Sequence, residues 1–288
     1  MVHFMLTKTL RSHLIFAAFA LASVALFWAS LHQWAVLSLD DSRYSHLILI
    51  PLISGFFFYR ERDAIFSSAG FSPRFGLPLL AVPLALYGLL ALRVVPTSAN
   101  YTLTLVVLAI VLVWAAGFAL CYGPRALRAA AFPLLLLLLL VPVPFNLMDG
   151  IITALQRGST ELTYAIFRLA DVPMFRQGVT FELPGIGIEV AKECSSIHSG
   201  CALFITGLLV GHVFLKSLRA KVPLALLTIP IAMFTNAVRI VTLWFLGTKV
   251  DMRFLSGNLH HRGGILFSLI SLSVLMSCLA LFRKLEPR

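Results

Sequence analysis

The 288 residues are 59% hydrophobic and only 12% charged, with a mean hydropathy of +0.94. Soluble domains carry about a quarter charged residues, so an ordinary globular enzyme is excluded. The net charge of +11 invites a nucleic-acid partner, but the Lys and Arg lie in short stretches between apolar runs, which is the pattern of a polytopic membrane protein.

A spanning helix takes about 20 mostly apolar residues. That length predicts an all-α integral membrane protein of about eight transmembrane helices, near 13–36, 44–59, 75–95, 99–121, 126–147, 194–215, 222–247 and 264–282. The start, "MVHFMLTKTLRSHLIFAAFALASVALFW", is basic and then apolar without a convincing small-residue cleavage site, so it reads as the first span rather than a removed signal peptide. The second span, "YSHLILIPLISGFFFY", is short enough to read alternatively as partly re-entrant.

Between the fifth and sixth spans lies the one sizeable extracytoplasmic connection, 148–193. Its first half, "DGIITALQRGSTELTYAIFRLA", has apolar residues at helical spacing and predicts an amphipathic interfacial helix. Its second half, "MFRQGVTFELPGIGIEVAKEC", alternates around Pro184-Gly185 and predicts a short β-hairpin before the sixth main helix. Without repeats, low-complexity tracts or linkers, residues 1–288 are expected to form a single polytopic membrane domain.

Orientation follows the Lys and Arg of the short loops. With the N-terminus cytoplasmic, 13 of the 23 basic residues fall on the inner side, and six of the twelve acidic ones fall in 148–193 on the other. Both termini are therefore expected inside. Cys194 then begins its helix at the outer face, following the charged pair Lys192 and Glu193.

Ionisable residues within a span are costly, roughly 2.5–3.5 kcal/mol for Arg at a helix centre. Arg239, in "AMFTNAVRIVTLWFLG", is the clearest case. At ~1.5 Å per residue it sits roughly 12 Å below the outer boundary, with Asn236 three residues earlier on the same face. Snorkelling towards the interface is the plain reading, while the paired Asn favours a polar cavity lining. The loop "TKVDMRFLSGNLHHRGGILF" brings His260 and His261 to the same side, where adjacent histidines are otherwise merely interfacial.

A thiol, a guanidinium and an imidazole together suit acyl transfer through a thioester. The thiolate is the nucleophile, and nearby positive charge lowers its pKa. The imidazole moves a proton to the leaving group, and a fixed Arg stabilises an oxyanion. His198, one helical turn after Cys194, is open to roles as base, supporting group or metal ligand. Zinc is the less favoured reading, because no HExxH occurs and the carboxylates lack ligand spacing. No metal or cofactor is expected. The four cysteines show no CxxC, and Cys201, deeper in the helix, reads as packing.

These stretches resemble the exosortase/archaeosortase family of membrane-embedded cysteine transpeptidases. The resemblance rests on "ECSSIHS" (193–199), "NAVRI" (236–240) and "HHRGGILF" (260–267), with "YSHLILIPL" (44–52) and "LLLLVPVPFNLM" (137–148) similar to the family's early membrane motifs. It implies that Cys194 is the nucleophile, Arg239 the stabilising arginine and Asn236 its supporting partner. His260, with Gly264 four residues on, fits the third catalytic position; His261 is one residue out of register and ranks second. Glu193 and His198 rank as supporting neighbours. The family's cysteine motif commonly reads C-S-G-I-R-S, whereas Ser196 and His198 here replace its glycine and arginine, removing one positive charge near the thiol.

The resemblance further implies a bacterial inner-membrane enzyme with its site facing the periplasm. Its substrates are expected to be secreted proteins ending in a short motif of the PEP-CTERM type, a transmembrane helix and a basic tail, passed to an unidentified acceptor nucleophile. The bilayer is an expected partner and nucleic acid is not. An alternative of another class is a membrane component of exopolysaccharide export or assembly, in which Arg239 lines a substrate path and Cys194 is incidental.

Overall fold

The computed structural model describes residues 2–67, 69–94, 98–184, 186–190, 197–251 and 258–286, and only the backbone of 2–9, 100, 198 and 258–264. Residues 1–145 and 146–288 each form a compact unit.

The first unit holds α1 (Val2–Leu26), α2 (Trp28–Asp40), a 3-10 segment (Ser42–Ile48), α3 (Leu49–Arg60), α4 (Arg62–Phe66), α5 (Pro73–Ala91), α6 (Ala99–Ala129) and α7 (Ala131–Leu136), which tightens into a second 3-10 turn, Leu137–Leu140. The expected first span is bent by 76° between α1 and α2. The break falls at Phe27, whose buried ring packs edge-on against Tyr87 at 4.7 Å. α6 runs past its expected end to Ala129, kinked at Gly123, where φ 84 and ψ 175 precede Pro124. A positive φ of this kind is open to glycine at little steric cost.

The expected span over 126–147 departs furthest from a simple helix. Pro142 and Pro144 have no N–H to continue a helix, and each pushes the residue before it towards extended backbone. Carbonyls freed this way need donors wherever water is absent, and side chains supply them. Ser54 Oγ donates to the Pro133 carbonyl at 2.8 Å and Trp34 Nε1 to Leu140 at 2.9 Å. Thr104 Oγ1 donates to Pro142 at 2.8 Å and the Tyr44 hydroxyl to Val143 at 2.6 Å. The last bond joins the two early motifs, and Arg43 lies over the Phe145 ring at 5.2 Å. Tyr44 is 1% exposed, so Tyr44→Phe should strand the Val143 carbonyl and cost about 1–3 kcal/mol. Denaturation in mixed micelles measures this; an unchanged midpoint would mean the carbonyl finds another donor.

The second unit holds α8 (Phe145–Leu169), strands β1 (Phe175–Gln177), β2 (Thr180–Leu183) and β3 (Ile186–Glu189), then α9 (Ile197–Phe214), α10 (Leu218–Lys249) and α11 (Asn258–Leu285). α8 is the amphipathic helix expected, burying Ile152, Gln156, Ser159, Thr163 and Phe167 at helical spacing. The expected hairpin is there as β2–β3, with Leu183 opposite Ile186 across Pro184-Gly185. It gains a third antiparallel strand, since β1 pairs Arg176 with Phe181 through a turn at Gly178. Arg176 ties that strand to α8, donating to both Glu161 oxygens at 2.6 and 3.0 Å and lying 5.3 Å over Tyr164. The guanidinium also holds the Glu161 carboxyl below its ordinary pKa.

The chain is thus an all-α membrane protein with one small sheet. Among the described residues, four helices are long and apolar enough to cross a membrane, or up to six when each of two bent helix pairs is taken as one span. Eight were expected. Against six, the difference lies in 44–59, which forms a 3-10 segment and a 12-residue helix, and in 194–215, of which 194–196 lie outside the described residues; against four, it also includes the bends in the first span and in 126–147.

Candidate active site

α9, α10 and α11 pack around a shared core of Leu203, Leu224, Ile231 and Leu275. Small residues bring α9 and α10 together, as is common between membrane helices. A Cβ added at Gly207 would lie 2.8 Å from Thr228 Cγ2, and one at Gly200 would meet Ala232 at 3.8 Å. The helices therefore run antiparallel, and the N-terminal end of α9 lies beside the stretch of α10 that carries Asn236 and Arg239.

Those ends enclose a niche of about 20 Å³ lined by Ser199 of α9, by Ala232, Thr235, Asn236 and Arg239 of α10, and by Phe267, Ser268 and Ser271 of α11. Its size is about that of one water molecule. Asn236 is 2% exposed, and neither its carboxamide oxygen nor its nitrogen has a hydrogen-bond partner among the described residues. Thr235 and Ser271 donate back along their own helices, to Ile231 at 2.8 Å and to Phe267 at 3.0 Å. Each keeps an oxygen lone pair for the niche. Arg239 is partly buried and enters the same space.

The sheet steadies this end of the bundle. Phe181, Leu183 and Val190 bury with Phe167 of α8 and with Ile240 and Trp244, the turns of α10 that follow Arg239. Gln156 of α8 donates its carboxamide N–H to the Val190 carbonyl, and the Val190 N–H donates to Val179 at 3.0 Å. Two elements thus hold the chain four residues before Cys194. Gln156→Leu removes the buried donor and should cost about 1–3 kcal/mol. Limited proteolysis within 175–196 should become faster than in the parent. Equal rates would show that the strands alone hold Val190.

Of the residues singled out from sequence, Arg239 and Asn236 meet in one niche. Cys194 and Glu193 lie outside the described residues. His198 falls in the first turn of α9, and His260 and His261 in the first turn of α11, with backbone only. Register does not separate the last two, because His261 precedes Ser268 by seven residues and His260 precedes Ser271 by eleven, each close to whole turns. Sequence reasoning missed Ser199, Thr235, Ser268, Ser271 and Gln156. The signal for the serines was there in "FSLIS", two hydroxyls at i, i+3 in an otherwise apolar helix. Gln156 had none, because its partner lies 34 residues away.

The model of one protein family, described as transmembrane exosortase (Exosortase_EpsH), matches residues 28–277. Comparison with curated proteins and with solved structures gave no match.

Proposed function

Because the chain belongs to the transmembrane exosortase family, we propose that it is a cysteine transpeptidase that cuts C-terminal sorting signals of secreted proteins at the outer face of the bacterial inner membrane. The observation that carries this reading is the niche in which Arg239 and Asn236 meet, at the end of α9 from which the chain leads back to Cys194. A charged side chain costs too much inside a membrane to be placed there without use.

In the proposed cycle the Cys194 thiolate attacks the scissile carbonyl carbon. The C–S bond forms, and the carbonyl π pair moves onto oxygen, where Arg239 stabilises the charge. Collapse restores the carbonyl and breaks the C–N bond; His260 gives the leaving amine its proton. The released fragment carries the substrate's transmembrane helix and basic tail. An acceptor nucleophile, or water, then attacks the thioester and gives its proton to His260, and the C–S bond breaks to return the Cys194 thiolate. His198, when protonated, favours the thiolate form of Cys194.

The test is to trap the thioester. Purified protein incubated with a substrate carrying motif, helix and tail should gain the mass of the upstream fragment, released by hydroxylamine and missing in Cys194→Ala. A parent chain that cleaves the substrate without any adduct would sink the covalent route. His260→Ala and His261→Ala form a paired check by kcat. His260→Ala should be the deeper loss, and a larger loss in His261→Ala would move the proton-transfer role one residue along.

A further inference from the structure

The Asn236 side chain presents a physical problem. Its carboxamide offers two donors and two acceptor lone pairs, it is 2% exposed, and it has no partner among the described residues. Leaving a buried polar group unmade costs about 1–3 kcal/mol, and buried polar groups in native proteins are nearly always satisfied. Meanwhile the niche it lines holds about 20 Å³, above the roughly 10–15 Å³ that a water needs, though the water must also find two to four polar partners. Thr235 and Ser271 spend their protons on their own helices and keep acceptor lone pairs. Asn236 contributes the opposite complement, two N–H donors and a carbonyl. The wall thus offers both donors and acceptors to a hydrogen-bonding oxygen.

We infer that the niche is a subsite for one hydrogen-bonding oxygen, filled by water at rest and by the substrate's scissile carbonyl oxygen during reaction, with Asn236 a catalytic residue donating to that oxygen beside Arg239. The inference rests on the acyl-transfer reading for its second half and on packing alone for its first. The guanidinium supplies charge from one helical turn further along α10, and the carboxamide N–H supplies a neutral, fixed donor. When the carbonyl π pair moves onto oxygen, that oxygen becomes the stronger acceptor, so the Asn236 bond shortens in the transition state. No bond to Asn236 forms or breaks. Fixed donors aimed at an oxyanion act in this way, and removing one lowers kcat by about 10²–10³-fold. Water leaving the niche as substrate enters keeps the carboxamide satisfied throughout the cycle.

The same geometry predicts how substitutions differ. Asn236→Leu has nearly the same shape and no polar atoms, so burial favours it and the fold should survive. Asn236→Asp keeps the acceptors, loses both donors and adds a charge beside Arg239. Ser268→Ala removes only a wall hydroxyl at the half-exposed edge.

The experiment has two arms on full-length protein in lipid nanodiscs. A high-resolution structure of the parent should show a density peak within about 2.7–3.2 Å of the Asn236 carboxamide, absent in Asn236→Leu; an empty niche in the parent overturns the subsite. Kinetics on a motif–helix–tail substrate should show kcat about 10²–10³-fold lower in Asn236→Leu, with KM little changed and a thermal midpoint at or above the parent's. A water peak with kcat unchanged overturns the catalytic role and leaves a structural water. Should Asn236→Leu fold poorly, Asn236→Ala, smaller and likewise without a side-chain donor, gives the same kcat comparison. If Cys194→Ala cleaves as fast as the parent, the acyl-transfer reading itself fails, and the density arm still decides the oxygen subsite.

Discussion

Cells carrying Cys194→Ala are expected to keep the C-terminal helix and basic tail on their secreted substrates, while the variant protein stays at parental abundance in the membrane. Cys194 is the proposed carrier of the acyl group, so removing the thiol removes the covalent intermediate and not merely a contact. Loss of a nucleophile of this kind costs on the order of 10⁶ in kcat, far beyond what altered packing of a small side chain would do. Mass spectrometry of the surface and membrane proteomes reads the result directly. Tails that accumulate only in the variant identify the substrates at the same time. Identical tails in both strains, with the variant present, would favour the export or assembly reading, in which the thiol is incidental.

Arg239→Lys should be nearly as damaging as Arg239→Ala in kcat, roughly 10²–10³-fold below the parent, with the protein inserted and folded. The charge is retained and the insertion cost of Lys and Arg at a helix centre is similar, so stability should hardly move. What changes is geometry. A planar fork that presents several fixed donors is exchanged for a compact ammonium on a flexible stem. Arg239 enters a niche of about 20 Å³ beside Asn236, where a donor displaced by an ångström no longer meets the reacting oxygen. A kcat within a few-fold of the parent would mean that positive charge alone suffices, as it would for a residue that merely snorkels. Comparable loss of protein in the Lys and Ala variants would instead give Arg239 a folding role.

The amino-acid sequence by itself determined the class of the protein and much of its order. Apolar runs of spanning length, the amphipathic pattern of 149–169 and the alternation around Pro184-Gly185 each encode structure within a short window, so each was legible before folding. The positions of Arg239 and Asn236 on one face of α10 follow from a spacing of three.

Other features were decided only in three dimensions. The break in 126–147 is signalled by its prolines, yet it is tolerable only because Ser54, Trp34, Thr104 and Tyr44 bring donors from four other elements. β1 is three residues long, too short to show a pattern, and exists through pairing with β2 and the reach of Arg176 to Glu161. The niche itself has walls on three helices separated by tens of residues. A period along one helix says which residues share its face. It does not say which face of another helix arrives opposite, and that depends on small residues such as Gly207 letting two backbones approach until buried polar groups must find partners or a ligand.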